Sequence, residues 1–189
     1  MRIIFEGPDG AGKTMLLGDM HGRAVEAGEN PGTVHHGPYK GKSTTEVYNL
    51  YRMSLERGNY LDRSWISEMI YAPAVRNRRP RLNQTQVMWL DRIAEKMHYV
   101  IVFCLPPLDT VMENWSDRYQ QDKEYVTDAE TVKDIYESYW QMLDNTDEWT
   151  RLPVFHYDYT KDEGTNGSLR DRMIRAQPGY NCKGDVCAG

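Results

Sequence analysis

The sequence has little of what would place the protein in a membrane or an oxidising compartment. No apolar run approaches the roughly 20 residues of a membrane-spanning helix, and the longest are short segments such as residues 99–105. Three cysteines among 189 residues are too few for a disulfide framework. The first residues turn glycine-rich too early to resemble a signal peptide. We therefore expect a soluble protein of the cytoplasm.

Positive charge is also in short supply. The chain has 23 lysines and arginines against 28 acidic residues, a formal net charge of −5. This balance argues against a basic protein that coats nucleic acid, although it allows a local basic patch. Apolar residues make up 40% of the chain, which at this length is enough to bury a core.

Short apolar segments bracketed by glycine or proline alternate with longer segments of helical periodicity. This alternation predicts an α/β fold with a five-stranded parallel sheet flanked by helices. The predicted strands are residues 2–6, 33–36, 59–63, 100–105 and 152–157. The predicted helices are one directly after the first glycines and then residues 43–57, 66–77, 84–97, 108–120 and 128–145. We place one domain at residues 1–160, followed by a C-terminal helix and a loose tail at 161–189.

The glycine-rich loop between the first strand and the first helix carries the strongest chemical signal. Residues 7–14 match G-x-x-x-x-G-K-[ST] in full, in the strand-loop-helix context that supports such a match. Glycines let backbone N–H groups surround a phosphate, and the helix N-terminus adds its dipole. Lys13 would lie between the β- and γ-phosphates, and Thr14 would offer its hydroxyl to Mg²⁺. We predict ATP, or GTP, with Mg²⁺, bound by Gly7, Asp9, Gly10, Ala11, Gly12, Lys13 and Thr14.

Signals typical of motors and nucleotide switches are scarce. No apolar run ends in Asp-Glu, and no Asn-Lys-x-Asp base-reading motif occurs. The scarcity favours phosphoryl transfer over regulated hydrolysis. The length agrees, because it leaves room for one nucleotide-binding core and one acceptor pocket.

Three segments together resemble the thymidylate kinases and the related deoxynucleoside kinases. Within this group, the sequence is most similar in general character to phage-encoded nucleotide kinases. Residues 5–14 resemble the start of these proteins, and Asp62-Arg63-Ser64 with Tyr71 resembles their second signature, at the end of the third strand. Residues 102–107, followed by a helix carrying Arg118, resemble the fourth strand and the lid. The resemblance covers about residues 1–160 and implies the three-layer sandwich of P-loop NTPases, with a lid at about 108–127. A phage-encoded protein would act in the host cytoplasm.

The resemblance also implies roles for three charged residues. Asp62 would bind Mg²⁺ through water or orient the acceptor oxygen, and Arg63 would hold the transferred or acceptor phosphate. Arg118 would stabilise charge on the phosphoryl group during transfer. The chain departs from the family pattern in two places: Met15 follows Thr14 where a threonine is usual, and the lid has a single arginine.

Several residues are candidates to bind the acceptor. Asp9 lies inside the loop, where related kinases often place a charged group near the acceptor; it could instead serve only the turn. Tyr39, Trp65 and Tyr71 could stack on a base or sugar, or belong to the core or its rim.

Further candidates carry positive charge or sulfur. The arginines at 76, 78, 79 and 81 could bind a monophosphate or follow a polynucleotide backbone, and we favour Arg76 because it follows the helix from Asp62 most directly. His35 and His36 end the second strand, at the edge expected to face the acceptor. Cys182 and Cys187, spaced C-x₄-C, have no partner pair for a zinc site.

Three functions fit these observations. The first is a kinase that transfers the γ-phosphoryl of ATP to a deoxynucleoside monophosphate, with dTMP or a modified pyrimidine nucleotide as first choice. The second has a hydroxyl acceptor, on a free deoxynucleoside or on a 5-hydroxymethylated pyrimidine in DNA; the few lid arginines and the arginine cluster motivate it. The third binds ATP without turnover. We expect a small-molecule nucleotide partner and no membrane partner, and the resemblance leaves a homodimer open.

Overall fold

The computed structural model describes residues 1–76, 79–120, 126–161 and 166–176. Its centre is a parallel sheet in the strand order β2-β3-β1-β4-β5. The strands are β1 Arg2–Glu6, β2 Thr33–His35, β3 Tyr60–Asp62, β4 Tyr99–Cys104 and β5 Val154–Tyr157. The helices are α1 Lys13–Glu26, α2 Thr44–Arg57, α3 Trp65–Arg76, α4 Gln84–Lys96, α5 Leu108–Tyr119, α6 Ala129–Asp144, α7 Thr146–Trp149 and α8 Asn166–Arg175. This architecture confirms the predicted α/β fold with its five-stranded parallel sheet.

The carboxyl ends of the strands meet at one edge of the sheet. In the register of β1 with β3, Phe5 is opposite Asp62, and in that of β1 with β4 it is opposite Val102. The chain leaves β1 toward β2 and leaves β3 toward β4. The connections that follow the neighbouring strands β1 and β3 therefore run in opposite directions, and open α/β sheets bind ligands at the carboxyl ends of strands where the direction changes.

Helices cover the sheet on both faces. All six residues of β4 are buried, which a parallel strand achieves only when both faces are covered. Capping boxes start α2 at Ser43 and α4 at Asn83, satisfying backbone N–H groups that the first turn leaves unpaired. On α4, Leu90 and Ala94 are buried four residues apart, as the predicted amphipathic pattern requires.

Some expectations concern residues that the structure describes only in part. Within the described ranges, no helix has the length and apolar character needed to cross a bilayer. Cys182, Cys187 and part of the predicted lid lie outside the described residues. The domain division at residue 160 stays a prediction.

Candidate functional site

The loop from β1 to α1 is shaped by three glycines. Gly7, Gly10 and Gly12 have φ of 142°, 79° and 80°, values that side chains rarely adopt. A Cβ on Gly7 would lie 2.4 Å from the Cys104 carbonyl oxygen, and one on Gly12 would lie 2.9 Å from the Tyr159 ring. Backbone conformation and close packing thus both require glycine here, and the loop keeps its concave shape for a ligand.

Lys13 folds back over this loop. Its ammonium group donates a hydrogen bond to the Pro8 carbonyl at 2.6 Å, and its side chain is buried. Burial, together with the nearby Arg63 charge, lowers the pKa of Lys13 to about 8. The amine therefore lies at the loop as a cation that a negatively charged ligand would stabilise.

A cavity of about 560 Å³, the loop cavity, opens above the glycine-rich loop. The Asn114 side chain fixes its far wall, because its amide donates to the Gly10 carbonyl and to the Tyr159 hydroxyl, both at 2.8 Å. Other residues of the lining come from the loop, from the end of β3 and from α5: Asp9, Ala11, Gly12, Lys13, Thr14, Met15, Asp62, Arg63, Asp117 and Arg118. Its size and its glycine-rich loop suit an extended polyphosphate.

Asp62, the last residue of β3, carries a carboxylate oxygen suited to a metal. Its Oδ2 lies 2.8 Å from His35 Nδ1. Its Oδ1 is buried and has no hydrogen-bond partner among the described residues. Those residues contain no group of three or more His, Cys, Asp or Glu that could hold a metal ion. A Mg²⁺ ion at Asp62 and Thr14 would thus need phosphate oxygens as further ligands, which is usual for Mg²⁺ with nucleotides.

Arg63 is the central cation of the site. It adopts a φ of 72°, a left-handed conformation that is costly for a residue with a side chain and is often found at functional sites. Its guanidinium donates to Asp9 Oδ1 at 2.5 Å, to the Tyr71 hydroxyl at 3.0 Å, to Ser67 Oγ at 3.2 Å and to the Gly7 carbonyl at 3.3 Å. It also lies 4.6 Å from the centroid of the Tyr71 ring.

Asp9 shares these partners. The Tyr71 hydroxyl donates to Asp9 Oδ2 at 3.2 Å. Burial alone would raise the pKa of the Asp9 carboxyl, but the charges of Arg63 and Lys13 outweigh it and hold the pKa below its ordinary value. Asp9 is therefore ionised at neutral pH.

A buried carboxylate lies beneath Arg63. Glu6, the last residue of β1, is fully buried. It accepts hydrogen bonds from Ser64 Oγ at 2.7 Å, Ser67 Oγ at 2.6 Å and the Tyr139 hydroxyl at 2.9 Å. Burial raises the pKa of Glu6 in spite of these bonds and of the nearby Arg63 charge. Because Ser67 also accepts from Arg63, the network links β1 and α6 to the cation of the site.

A second cavity, of about 170 Å³, adjoins the first. We call it the aromatic cavity, and its lining is Asp9, His36, Gly37, Pro38, Tyr51, Arg63, Ser67, Glu68 and Tyr71. Asp9 and Arg63 line both cavities. A group bound in one cavity therefore meets a group bound in the other at this ion pair.

Arg81 fixes one wall of the aromatic cavity. Its guanidinium donates twice to the buried Glu68 carboxylate, at 2.9 and 2.7 Å. It also donates to the carbonyl oxygens of Tyr39 at 2.6 Å and Pro38 at 3.1 Å. The loop after β2 is thereby held against α3.

Most of the predicted site residues come together here. Lys13, Thr14, Asp62 and Arg118 line the loop cavity with the loop residues, and Tyr71 lines the aromatic cavity with Asp9 and Arg63. The roles predicted for these residues stay predictions.

The outcome differs for three other residues predicted to bind the acceptor. Trp65 is 1% exposed and packs edge-on against Tyr51 in the core, so it offers no face to a ligand and the stacking role predicted for it needs correction. The Tyr39 hydroxyl is hydrogen-bonded to His36, so Tyr39 contacts a cavity residue. The side chain of Arg76 lies outside the described residues, and so does Arg78.

Sequence reasoning missed several residues of the site. Glu6 had a readable signal, since it is the one acidic residue of β1 and directly follows three apolar residues. Ser67 had another, because it lies four residues from both Arg63 and Tyr71. Asn114 and Tyr159 lie 45 residues apart, and no local pattern connects them.

No protein-family model matches the chain, and no curated protein matches it. Solved structures do match over most of its length. YorR from Bacillus subtilis, in complex with phosphorylated GDP, has a TM-score of 0.70 at 14% identity and covers 93% of this chain and 97% of its own. Deoxyadenosine kinase from M. mycoides matches at TM-score 0.57 and 13% identity with bound dCTP, and at 0.53 and 14% with bound dATP, each covering 93% of this chain and 100% of its own. At such low identity, these matches show a shared fold.

Proposed function

We propose that the protein is a kinase that transfers the γ-phosphoryl group of Mg·ATP to a nucleoside-type acceptor. The observation that carries the proposal is the pair of cavities that meet at Asp9 and Arg63. One is lined by a complete phosphate-binding loop, and the other is small and partly aromatic. Structural neighbours named as deoxyadenosine kinase, which share this fold, support the proposal.

The loop cavity would hold the nucleotide. Backbone N–H groups of the loop would surround the β-phosphate, and Lys13 would move from the Pro8 carbonyl to the β- and γ-phosphates. Thr14 and Asp62 would hold Mg²⁺, which when bound neutralises charge on the phosphates. Arg118, on the rim of the cavity, would be the lid cation.

The aromatic cavity would hold the acceptor, and its charges favour a hydroxyl group. Arg63 is the only cation among the described residues that line it, and its guanidinium already bonds four groups. The carboxylates in the lining are charge-paired as well, Asp9 with Arg63 and Glu68 with Arg81. The described lining thus offers no uncompensated positive charge to a dianionic monophosphate, and a neutral acceptor needs none.

With a hydroxyl acceptor, Asp9 would act as general base. As the acceptor oxygen bonds to the γ-phosphorus, Asp9 takes the hydroxyl proton, and the bond from that phosphorus to the β-phosphate oxygen breaks to release ADP. Such proton transfer contributes roughly 10²–10⁴-fold to rate. The acceptor would be a free deoxynucleoside or a 5-hydroxymethylated pyrimidine in DNA.

A deoxynucleoside monophosphate, dTMP or a modified pyrimidine nucleotide, is the second candidate acceptor. The position of Arg63 between the cavities favours it, because a guanidinium can bind two phosphate oxygens at once. Arg63 would then exchange Asp9 and Tyr71 for the acceptor phosphate. This reaction needs no general base, because a phosphate oxygen is already deprotonated at neutral pH.

An acceptor screen tests the proposal. γ-Labelled ATP and Mg²⁺ are incubated with all deoxynucleosides, all deoxynucleoside monophosphates, and DNA with normal or hydroxymethylated thymines. We expect label on a hydroxyl acceptor, and Lys13→Ala should abolish transfer while leaving the fold intact. Label on no acceptor would refute kinase activity and leave a protein that binds ATP without turnover.

Asp9→Asn separates the two acceptor chemistries. Asparagine keeps a carbonyl oxygen for Arg63 but cannot take a proton. With a hydroxyl acceptor, kcat should fall by about 100-fold or more. If the true acceptor is a phosphate, the variant should keep kcat within about tenfold.

A further inference from the structure

An unpartnered nitrogen lies in the wall of the aromatic cavity. His36 lines the cavity and is 6% exposed. Its Nε2 is buried and has no hydrogen-bond partner among the described residues. Buried polar atoms are rarely left unpaired, because they lose their hydrogen bonds to water without replacement. In a cavity wall, such an atom is available to a ligand.

The His36 ring is held in one orientation. Its Nδ1 is hydrogen-bonded to the Tyr39 hydroxyl, and its ring centroid lies 4.7 Å from that of Tyr51 and 5.8 Å from that of Tyr39. The Tyr39 backbone is fixed as well, because Arg81 binds its carbonyl oxygen. The position of Nε2 is therefore set before any ligand binds.

The same contacts fix where the ring proton lies. Burial raises the pKa of Tyr39 to about 12, so its hydroxyl keeps its proton. Among the described residues, His36 Nδ1 is the acceptor available to that proton. With Nδ1 accepting, the single imidazole proton is on Nε2, which becomes a donor.

We propose that His36 selects the acceptor, its Nε2–H donating a hydrogen bond to a carbonyl oxygen of the acceptor base. The inference rests on the proposed function, since it names the group that this cavity recognises. The Tyr51 and Tyr71 side chains in the lining give the cavity a partly aromatic wall that suits a planar ring. An amino group at the same place would put a donor against a donor.

Paired nucleosides test the inference. Deoxyuridine and deoxycytidine differ by a carbonyl against an amino group on the base, and so do deoxyinosine and deoxyadenosine. Wild type should prefer the carbonyl member of at least one pair by about tenfold in kcat/KM, the value of one buried hydrogen bond. If the screen identifies monophosphates or DNA as acceptors, the same carbonyl and amino bases are compared as monophosphates or within DNA.

Two variants separate recognition from packing. In His36→Gln, the side-chain amide can present either a donor or an acceptor, so the preference should fall to about twofold or less. In Tyr39→Phe, the His36 ring keeps its place, but its Nδ1 has no hydroxyl group to accept from. The imidazole proton can then move from Nε2 to Nδ1, so the carbonyl preference should fall in this variant too. The KM for ATP should not change in either variant. His21→Gln, on α1 and outside both cavity linings, should behave as wild type.

A preference that survives both variants, or a loss of equal size for both members of a pair, would overturn the inference. So would a wild type that shows no carbonyl preference. If no acceptor is phosphorylated, calorimetric binding of the same nucleosides still decides the matter. Carbonyl-selective binding that is lost in His36→Gln would support the role of His36 while the kinase proposal fails, and absence of binding would overturn both.

Discussion

Replacement of Glu6 by alanine should destabilise the protein and misplace Arg63. The Glu6 carboxylate is the common acceptor of three buried hydroxyl groups, those of Ser64, Ser67 and Tyr139. Ser67 and Tyr139 lie 2.9 Å apart and can bond to each other. Alanine would therefore leave two hydroxyl protons without an acceptor: that of Ser64, and that of either Ser67 or Tyr139.

The size of the effect follows from that count. An unsatisfied buried polar group costs about 1–3 kcal/mol, so two cost about 2–6 kcal/mol. For a domain of this size, a loss of about 4 kcal/mol lowers Tm by about 8–16 °C. Activity should fall further than stability explains, because Ser67 would no longer be held where it accepts from Arg63.

Glu6→Gln is the matched control. It keeps one acceptor oxygen and the side-chain volume, so it should cost about 1–2 kcal/mol at most. Burial raises the pKa of Glu6 in the folded protein. Its contribution to stability is therefore fully present below the pKa of an unfolded glutamate and is lost as pH rises through the raised folded value. The wild type should lose stability relative to Glu6→Gln across that interval.

Thermal unfolding at a series of pH values, with steady-state kinetics at one pH, checks both points. The hydrogen-bond count is refuted if Glu6→Ala unfolds within about 2 °C of wild type. The burial argument is refuted if the stability difference between wild type and Glu6→Gln does not change with pH.

Three further perturbations address the loop and the cavity wall. Gly12→Ala combines an unfavourable φ of 80° with a Cβ 2.9 Å from the Tyr159 ring, so thermal unfolding should show a loss of about 2–3 kcal/mol. Its control, Gly18→Ala, meets no atom within 4 Å and should be neutral or slightly stabilising; equal effects of the two would contradict this reading. ATP phosphates bind the protonated Lys13 amine, whose pKa is about 8, so calorimetry should find affinity about tenfold weaker at pH 9 than at pH 7. Lys13→Arg does not titrate in this range, so its affinity for ATP should be the same at pH 7 and pH 9. An equal loss of affinity in this variant would exclude Lys13 as the cause. Arg81→Lys cannot hold Glu68 and both loop carbonyls at once, so the acceptor KM should rise about tenfold while the KM for ATP stays unchanged; a rise in both would place Arg81 outside a purely acceptor role.

The strands and most helices could be predicted because their signals are local. β4 is an apolar run ended by prolines, as a strand buried on both faces should be, and its predicted bounds differ from Tyr99–Cys104 by one residue. The helix pattern of residues 84–97 fits α4 for the same reason. The four-residue helix α7 was missed because one turn is too short to show periodicity.

The parts of the site that could not be predicted depend on packing between distant segments. Lys13, Asp62 and Arg63 have signatures because a phosphate loop and a strand end dictate residue types at fixed spacing. The bond from Asn114 to Tyr159 joins α5 to the segment after β5, and the Arg81 contacts join three segments across a gap of about 40 residues. Such contacts exist only once the sheet order is set.

The stacking role suggested for Trp65 took no account of the direction of its side chain, which helix geometry predicts. Ser67 and Tyr71 are four residues apart on α3 and so share one face, and Arg63, just before the helix, is hydrogen-bonded to both. Trp65 is two residues from Ser67, which on a helix is a rotation of about 200°. Once Tyr71 is assigned to the site, the same periodicity directs Trp65 to the opposite side, where it packs in the core. Aromatic character alone made the two residues look equivalent, and the direction of each side chain distinguishes them.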